Sequence, residues 1–259
     1  MLRVDLNSDM GEGFGAYKMG DDTAMLDIVT SANVACGFHA GDPQIMTQVT
    51  ATAIRNKVDI GAHPGFMDLW GFGRRYIKID DVASIEPLLI YQIGALQAIA
   101  HSQGGRVTHI KTHGALGNMA FTDRELSEAI VRAIKTVDRD LILVTSPHNE
   151  TDAAAMRAGV RVACEIFADR AYGDNGLLIP RGQPGAMVDD PKDATERVLR
   201  MLQECAVISE SGEKFPTQIH TICVHGDSPH AITMAQSIKE GLLKNGVTLA
   251  PISTLDISA

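Results

Sequence analysis

Apolar and polar positions alternate along this chain in two rhythms. Short strand-like runs appear near 2–8, 31–36, 58–62, 106–111, 141–145, 160–166 and 219–224. Between them, at 43–56, 82–102, 123–137, 151–158, 191–208 and 229–245, the pattern is that of helices covering a sheet. Pro43 behind Asp42 and Pro191 behind Asp190 read as first-turn prolines with capping aspartates. Thr122 or Asp123 reads as the cap of the helix carrying Leu126, Ile130 and Ile134. Strand–helix alternation with continuously apolar strands predicts a parallel sheet covered on both faces. About seven such units predict an α/β fold built as a single (β/α) barrel, with no linker or repeat to divide residues 1–259. The irregular stretches 64–80 and 167–190 follow strands and are glycine-rich without being of low complexity, which marks them as functional loops.

Composition narrows the classes. With 259 residues, 45% of them hydrophobic, the chain can bury a large core. A net charge of −9 argues against a nucleic-acid partner, which demands basic surface. The opening MLRVDLNSDM has no apolar leader segment, and no apolar run is read as approaching the ~18 residues that span a bilayer. Cys36, Cys164, Cys205 and Cys223 lie far apart without a CxxC pair, so neither a zinc knot nor a disulfide framework is indicated. The expectation is a soluble, cytoplasmic protein with no membrane partner.

Chemistry enters where strands end. NVACGFHAGD (33–42), VDIGAHPGF (58–66), RVTHIKTHGALGN (106–118) and TICVHGDSPH (221–230) each run an apolar or β-branched segment into histidine, with glycine close behind. RVDLNSDMGEGFG (3–15) does the same with carboxylates. Titratable groups at strand ends followed by tight turns are how a parallel barrel gathers an active site on one rim. Asp5, Asn7 and Asp9 share one face of an extended strand, and three polar groups inside a barrel need water, metal or substrate to offset their desolvation. A lone aspartate there is more often a cap or ion pair; the spacing favours function. Likewise one histidine of this kind is usually structural, but His39, His63, His113 and His225 in corresponding places point to ligand or metal contact. His109 and Lys111 share a strand face with His113, whereas His101, His148 and His220 read as structural or solvent-facing.

Arg74 and Arg75, in PGFMDLWGFGRRYIK, suit a carboxylate or phosphate. EIFADRAYGDNGLLIPRGQPGA offers Glu165, Asp169, Arg170 and Arg181. A G-x-G-x-x-A match at Gly11, Gly13 and Ala16 follows a polar strand and does not read as a dinucleotide site, and there is no phosphate-loop motif.

The segments LNSDMGEGFG, ANVACGFHAGDP, GAHPGFMDLWGFGRR, KTHGALGN, EIFADRAY with PRGQPGA, and TICVHGDSPHA resemble the LamB/YcsF family over nearly the whole chain. That family usually has proline where Thr112 stands and tyrosine where Gly117 stands. The resemblance implies a seven-stranded β/α barrel related to metal-dependent deacetylases. It also implies a hydrolase acting on a cyclic amide: ATP-coupled opening of 5-oxo-L-proline to L-glutamate, with ADP and phosphate formed and 5-oxoprolinase subunits B and C as partners. Where ATP binds is not visible in the sequence. On this resemblance Asp9 or Asp5 would act as general base, and His39, His63 or His113 would polarise the carbonyl directly or through a divalent metal. Asp9, His39 and His63 would be the candidate metal ligands. Asn7, Arg74, Arg75, Lys111, Glu165, Arg170 and His225 would contact substrate or phosphate. Two other functions stay open: a metal-dependent deacetylase of N-acetyl sugars, and a non-catalytic subunit that delivers lactam to its partners. The loops 64–80 and 167–190, with Phe66, Trp70, Phe72 and Tyr172, are the expected docking surfaces.

Overall fold

The computed structural model describes residues 2–226 and 230–257. Its strands are β1 (Arg3–Met10), β2 (Ser31–Ala35), β3 (Asp59–His63), β4 (Val107–Lys111), β5 (Ile142–Thr145), β6 (Val162–Phe167), β7 (Ala206–Ile208), β8 (Lys214–Pro216), β9 (Thr221–Cys223) and β10 (Thr248–Leu249). β1 to β6 and then β9 pair side by side, all parallel, and β9 pairs back onto β1. The result is the expected closed seven-stranded barrel. β10 extends the start of β1, and β7 with β8 forms a separate antiparallel hairpin. The helices are α1 (Asp22–Leu26), α2 (Pro43–Asn56), α3 (Ile85–Ser102), α4 (Gly114–Ala120), α5 (Arg124–Val137), α6 (Glu150–Ala158), α7 (Pro191–Glu204) and α8 (Ala231–Lys244).

Side-chain alternation explains how buried strands can carry polar groups. In β1, Val4, Leu6 and Met10 join the main core, whereas Asp5, Asn7 and Asp9 fall on the opposite, inner face. The main core lies outside the barrel wall, where Val34, Ile60, Ile110, Leu143 and Ile222 meet Leu89, Ile93, Ile130 and Ile238 of the helices. A second, small cluster of Ile142, Val144 and Ala163 with Ile252 and Ile257 plugs the amino-terminal end. The plug is tied by Ile252 N donating to Ser31 Oγ (3.3 Å) and Ser253 N to Asp59 Oδ2 (2.7 Å).

The expected caps are present. Asp42 accepts from Gln44 N and Ile45 N, Asp123 from Leu126 N, and Asp190 from Lys192 N and Asp193 N, each worth ~1 kcal/mol. Two expectations about these elements need correction, and one falls partly outside the described residues. The helix expected over 191–208 stops at Glu204, because Cys205 takes a left-handed φ of 48° and Val207 and Ile208 pair with β8 instead. The helix expected over 229–245 is seen as α8; position 229 lies outside the described residues. The stretch Val82–Ser102 does reach the length and mean hydropathy (1.4) of a bilayer span. Here it wraps the barrel, burying Leu89, Ile93, Leu96 and Ala100, while Gln92 bonds both Gly65 N and Gly65 O.

Asp5, a candidate base by sequence, sits low in the barrel and is fully buried. Its carboxylate accepts from the hydroxyls of Thr30, Ser31 and Thr221 at 2.5–2.6 Å, and it does not line the cavity described below. It is therefore a structural group. Burial pushes its carboxyl up to about 6, although the three hydroxyls oppose the shift. A folded value above the ordinary 3.8 means stability present at low pH and lost as pH rises towards 6. The expected loss is ~3 kcal/mol. Asp5→Asn cannot ionise, so its unfolding free energy should gain on that of the parent by ~3 kcal/mol between about pH 4 and about pH 7. A gap between the two chains that stays constant with pH would refute this.

Candidate active site

At the carboxyl end of the barrel, β1 delivers Asp9, β3 His63, β4 Lys111 and β6 Glu165, while His113 and His225 follow β4 and β9. All six line one cavity of about 490 Å³. Phe121, Val144, Phe167, Leu177, Leu178 and Pro180 form its apolar wall, and Arg74, Arg170 and Arg181 its cationic side. Both loops expected to be functional contribute to it.

Lys111 organises the floor. Its Nζ lies 2.9 Å from Asp9 Oδ1, 3.0 Å from Glu165 Oε1 and 3.2 Å from Cys223 Sγ, over the Phe167 ring. Burial pulls the Lys111 ammonium down, but Asp9, Cys223 and Glu165 outweigh it and hold it well above its ordinary value. Burial would likewise raise Asp9; His63 and Lys111 beside it prevail, and its carboxyl is held well below the usual range. Asp9 is thus a fixed anion. Its Oδ2 lies 3.3 Å from His63 Nε2.

The tautomers of two histidines follow from what they touch. His63 Nδ1 lies 2.7 Å from Lys111 O and His113 Nε2 2.8 Å from Phe72 O. Carbonyls only accept, so each of those nitrogens carries hydrogen. In the neutral rings, His63 Nε2 and His113 Nδ1 then turn lone pairs towards each other across 3.0 Å, an arrangement that calls for a proton or a cation between them. Glu12 Oε1 lies 3.5 Å from His113 Nδ1 and from His39 Nε2. Donors of a tetrahedral ion with ~2.1 Å bonds stand ~3.4 Å apart, close to these spacings. His63 and His113 are perpendicular (89°), as two ligands of one ion can be. His39 instead stacks on His113 at 3.6 Å and 3°, so the two rings cannot both hold one ion in their planes. The donor set that fits a divalent metal is Glu12, His63 and His113. Asp9 falls outside that group, beside Cys223 and His225, which departs from the expected set of Asp9, His39 and His63.

The remaining candidates divide. Arg74 lines the cavity and lies over the Phe72 ring, whereas Arg75 leaves it to clamp Asp68. Arg170 lines the cavity with its guanidinium on the carbonyls of Ile179 and Ala186. His225 is held by Asp169 at 2.8 Å and stacks on Phe167. Asn7 lies one layer below, donating to Glu165 Oε1 (3.0 Å) and Thr221 Oγ1 (2.6 Å), and supports the site rather than touching ligand. His39 is wholly buried behind His113. Phe66 and Tyr172, expected on a docking surface, are buried too. Thr112 and Gly117 both line the cavity, and a Cβ on Gly117 would lie 2.9 Å from Thr112 Oγ1, so these two positions constrain each other.

Sequence reasoning missed Glu12, Asn33 and Ser146. Glu12 stands three residues after Asp9 in the same motif, and Asn33 shares the inner face of β2 with Ser31; both signals were present. Ser146, whose buried Oγ has no partner among the described residues, follows a strand without any histidine to mark it.

The model of the LamB/YcsF family matches residues 4–256. A relative, the 5-oxoprolinase A subunit of Azorhizobium caulinodans, is 49% identical over 253 residues, 98% of this chain and all of its own. Among solved structures, the lactam utilization protein from Thermus thermophilus matches with a TM-score of 0.91 at 40% identity, covering 96% of this chain and 99% of that one. The catalytic domain of a peptidoglycan N-acetylglucosamine deacetylase from Eubacterium rectale covers 99% of this chain and 91% of its own, at a TM-score of 0.53. At 12% identity it shares the fold alone.

Proposed function

Since the chain belongs to the LamB/YcsF family, we propose that it is the barrel subunit of a cytoplasmic 5-oxoprolinase, opening 5-oxo-L-proline to L-glutamate with ATP and partner subunits B and C. The observation that carries this is the Asp9–Lys111–His63 assembly at the floor of a cavity with one apolar and one cationic side. A five-membered lactam is a resonance-stabilised amide, and phosphorylation of its oxygen by ATP provides a leaving group. Lys111 meets the negative charge of the phosphorylated oxygen's phosphoryl group, giving up its weakest contact, the Cys223 thiol. Water adds to the carbon bearing the phosphorylated oxygen, with its proton taken by the Asp9–His63 pair. The ring C–N bond breaks with a proton returned to nitrogen, and a second water hydrolyses the acyl phosphate so formed to glutamate and phosphate. Arg170 and Arg181 hold the substrate carboxylate or the phosphate, and the apolar wall takes the ring methylenes. A divalent ion, where bound, would be held by Glu12, His63 and His113 and would polarise the carbonyl, leaving Asp9 to take the proton without His63.

The 64–80 loop, on which Trp70 is 95% exposed and Met67 and Tyr76 are exposed as well, supports partner contact there. The test is glutamate release from 5-oxoproline and ATP by the chain alone and with subunits B and C. Release is expected only with the partners. Full-rate turnover by the chain alone would refute the dependence, and ATP-independent release of acetate from N-acetyl sugars would replace the reading with a deacetylase. Unimpaired activity of the complex after substituting both Asp9 and His63 would leave only a binding role.

A further inference from the structure

Beneath the cavity a polar chain descends the barrel axis, and its direction is fixed at every link. The Asp9 carboxylate only accepts, so the Asn33 atom 2.9 Å from Asp9 Oδ1 is the amide nitrogen, whose second hydrogen goes to Asn7 Oδ1 at 2.8 Å. Asn33 Oδ1 therefore faces His109 Nε2, 3.0 Å away, and that nitrogen must carry hydrogen. His109 Nδ1 accepts from the Thr108 hydroxyl at 2.9 Å. Burial pushes the His109 ring down to about 3, so it is neutral and its single proton belongs on Nε2. Gly61 makes the space, because a Cβ there would lie 2.1 Å from His109 Nε2.

We propose that His109 is a positioning residue: it holds the Asn33 amide in the one orientation that donates to Asp9, and so aims the Asp9 carboxylate at Lys111 and His63. This rests on the reading of Asp9 as part of the catalytic assembly. Without the Nε2 hydrogen Asn33 Oδ1 is left buried with no donor, and the amide shifts to regain one, drawing its nitrogen and the Asp9 carboxylate out of line.

The experiment measures kcat and KM for 5-oxoproline in the complex with subunits B and C, for His109→Leu, His109→Gln and Asp9→Asn, with thermal unfolding of each. His109→Leu should lower kcat by ~10²-fold with KM little changed, as for a displaced catalytic group. His109→Gln, which keeps an N–H within reach of Asn33, should restore most of it. A folded His109→Leu with parental kcat, or a His109→Gln as impaired as His109→Leu, overturns the proposal. Should His109→Leu not fold, ¹⁵N NMR of the unsubstituted chain decides: an Nε2–H ring is expected, and an Nδ1–H ring overturns it. An active Asp9→Asn sinks the catalytic reading and this proposal together. An inactive Asp9→Asn beside an unimpaired His109→Leu sinks the positioning alone.

Discussion

Asp9→Asn is expected to slow glutamate release by the reconstituted complex by ~10²–10⁴-fold while the chain stays folded. The anion at this position faces two partners at once, the Lys111 ammonium at 2.9 Å and His63 Nε2 at 3.3 Å. An asparagine keeps the size but offers no charge, and its amide hydrogens oppose those of Lys111 and Asn33. Lys111 retains Glu165 as a counter-ion at 3.0 Å, which is why the loss should fall on kcat rather than on folding. Kinetics within a few-fold of the parent, measured by steady-state glutamate assay, would remove Asp9 from the mechanism.

The second large effect is expected at Lys111. Lys111→Met keeps the unbranched apolar stem but leaves Asp9 and Glu165 facing the same space without their shared cation. Removing one member of a buried ionic cluster costs ~3–5 kcal/mol, because the charges that remain stay desolvated. Turnover should be lost as well, since no other ammonium reaches this floor among the described residues. The combination separates Lys111 from Asp9: one substitution should strike stability and rate together, the other mainly rate. Denaturant unfolding of Lys111→Met with an unchanged midpoint would contradict the counter-ion role.

Much of this architecture was legible in the order of residues. Period-two alternation placed Asp5, Asn7 and Asp9 on one face, and strand-end histidines anticipated one shared rim, which Asp9, His39, His63, His113 and His225 do occupy. Depth along a strand was not legible. Asp5, Asn7 and Asp9 differ only in how far each lies from the strand's carboxyl end, and the barrel's stagger decides which of them meets the cavity. Ring orientation was equally hidden: His39 and His113 look equivalent in sequence, yet stacking leaves His39 behind and the Phe72 carbonyl turns His113 inward. Arg74 and Arg75 are neighbours whose fates part because Asp68, seven residues before Arg75, captures only the second.

Closure between β1 and β9 sets a clock on biosynthesis. Asp5 sits opposite Thr221, so β1 must wait for a strand made 216 residues later, and the plug at Ile252 comes later still. Until then a nascent chain holds six strands with two open edges and a row of hydrated carboxylates where the sealed interior will be. Such long-range pairing is slow, and open edges invite association with other chains. Nascent chains that lack β9 should therefore stay protease-sensitive and chaperone-dependent, and should gain protease resistance once β9 can pair.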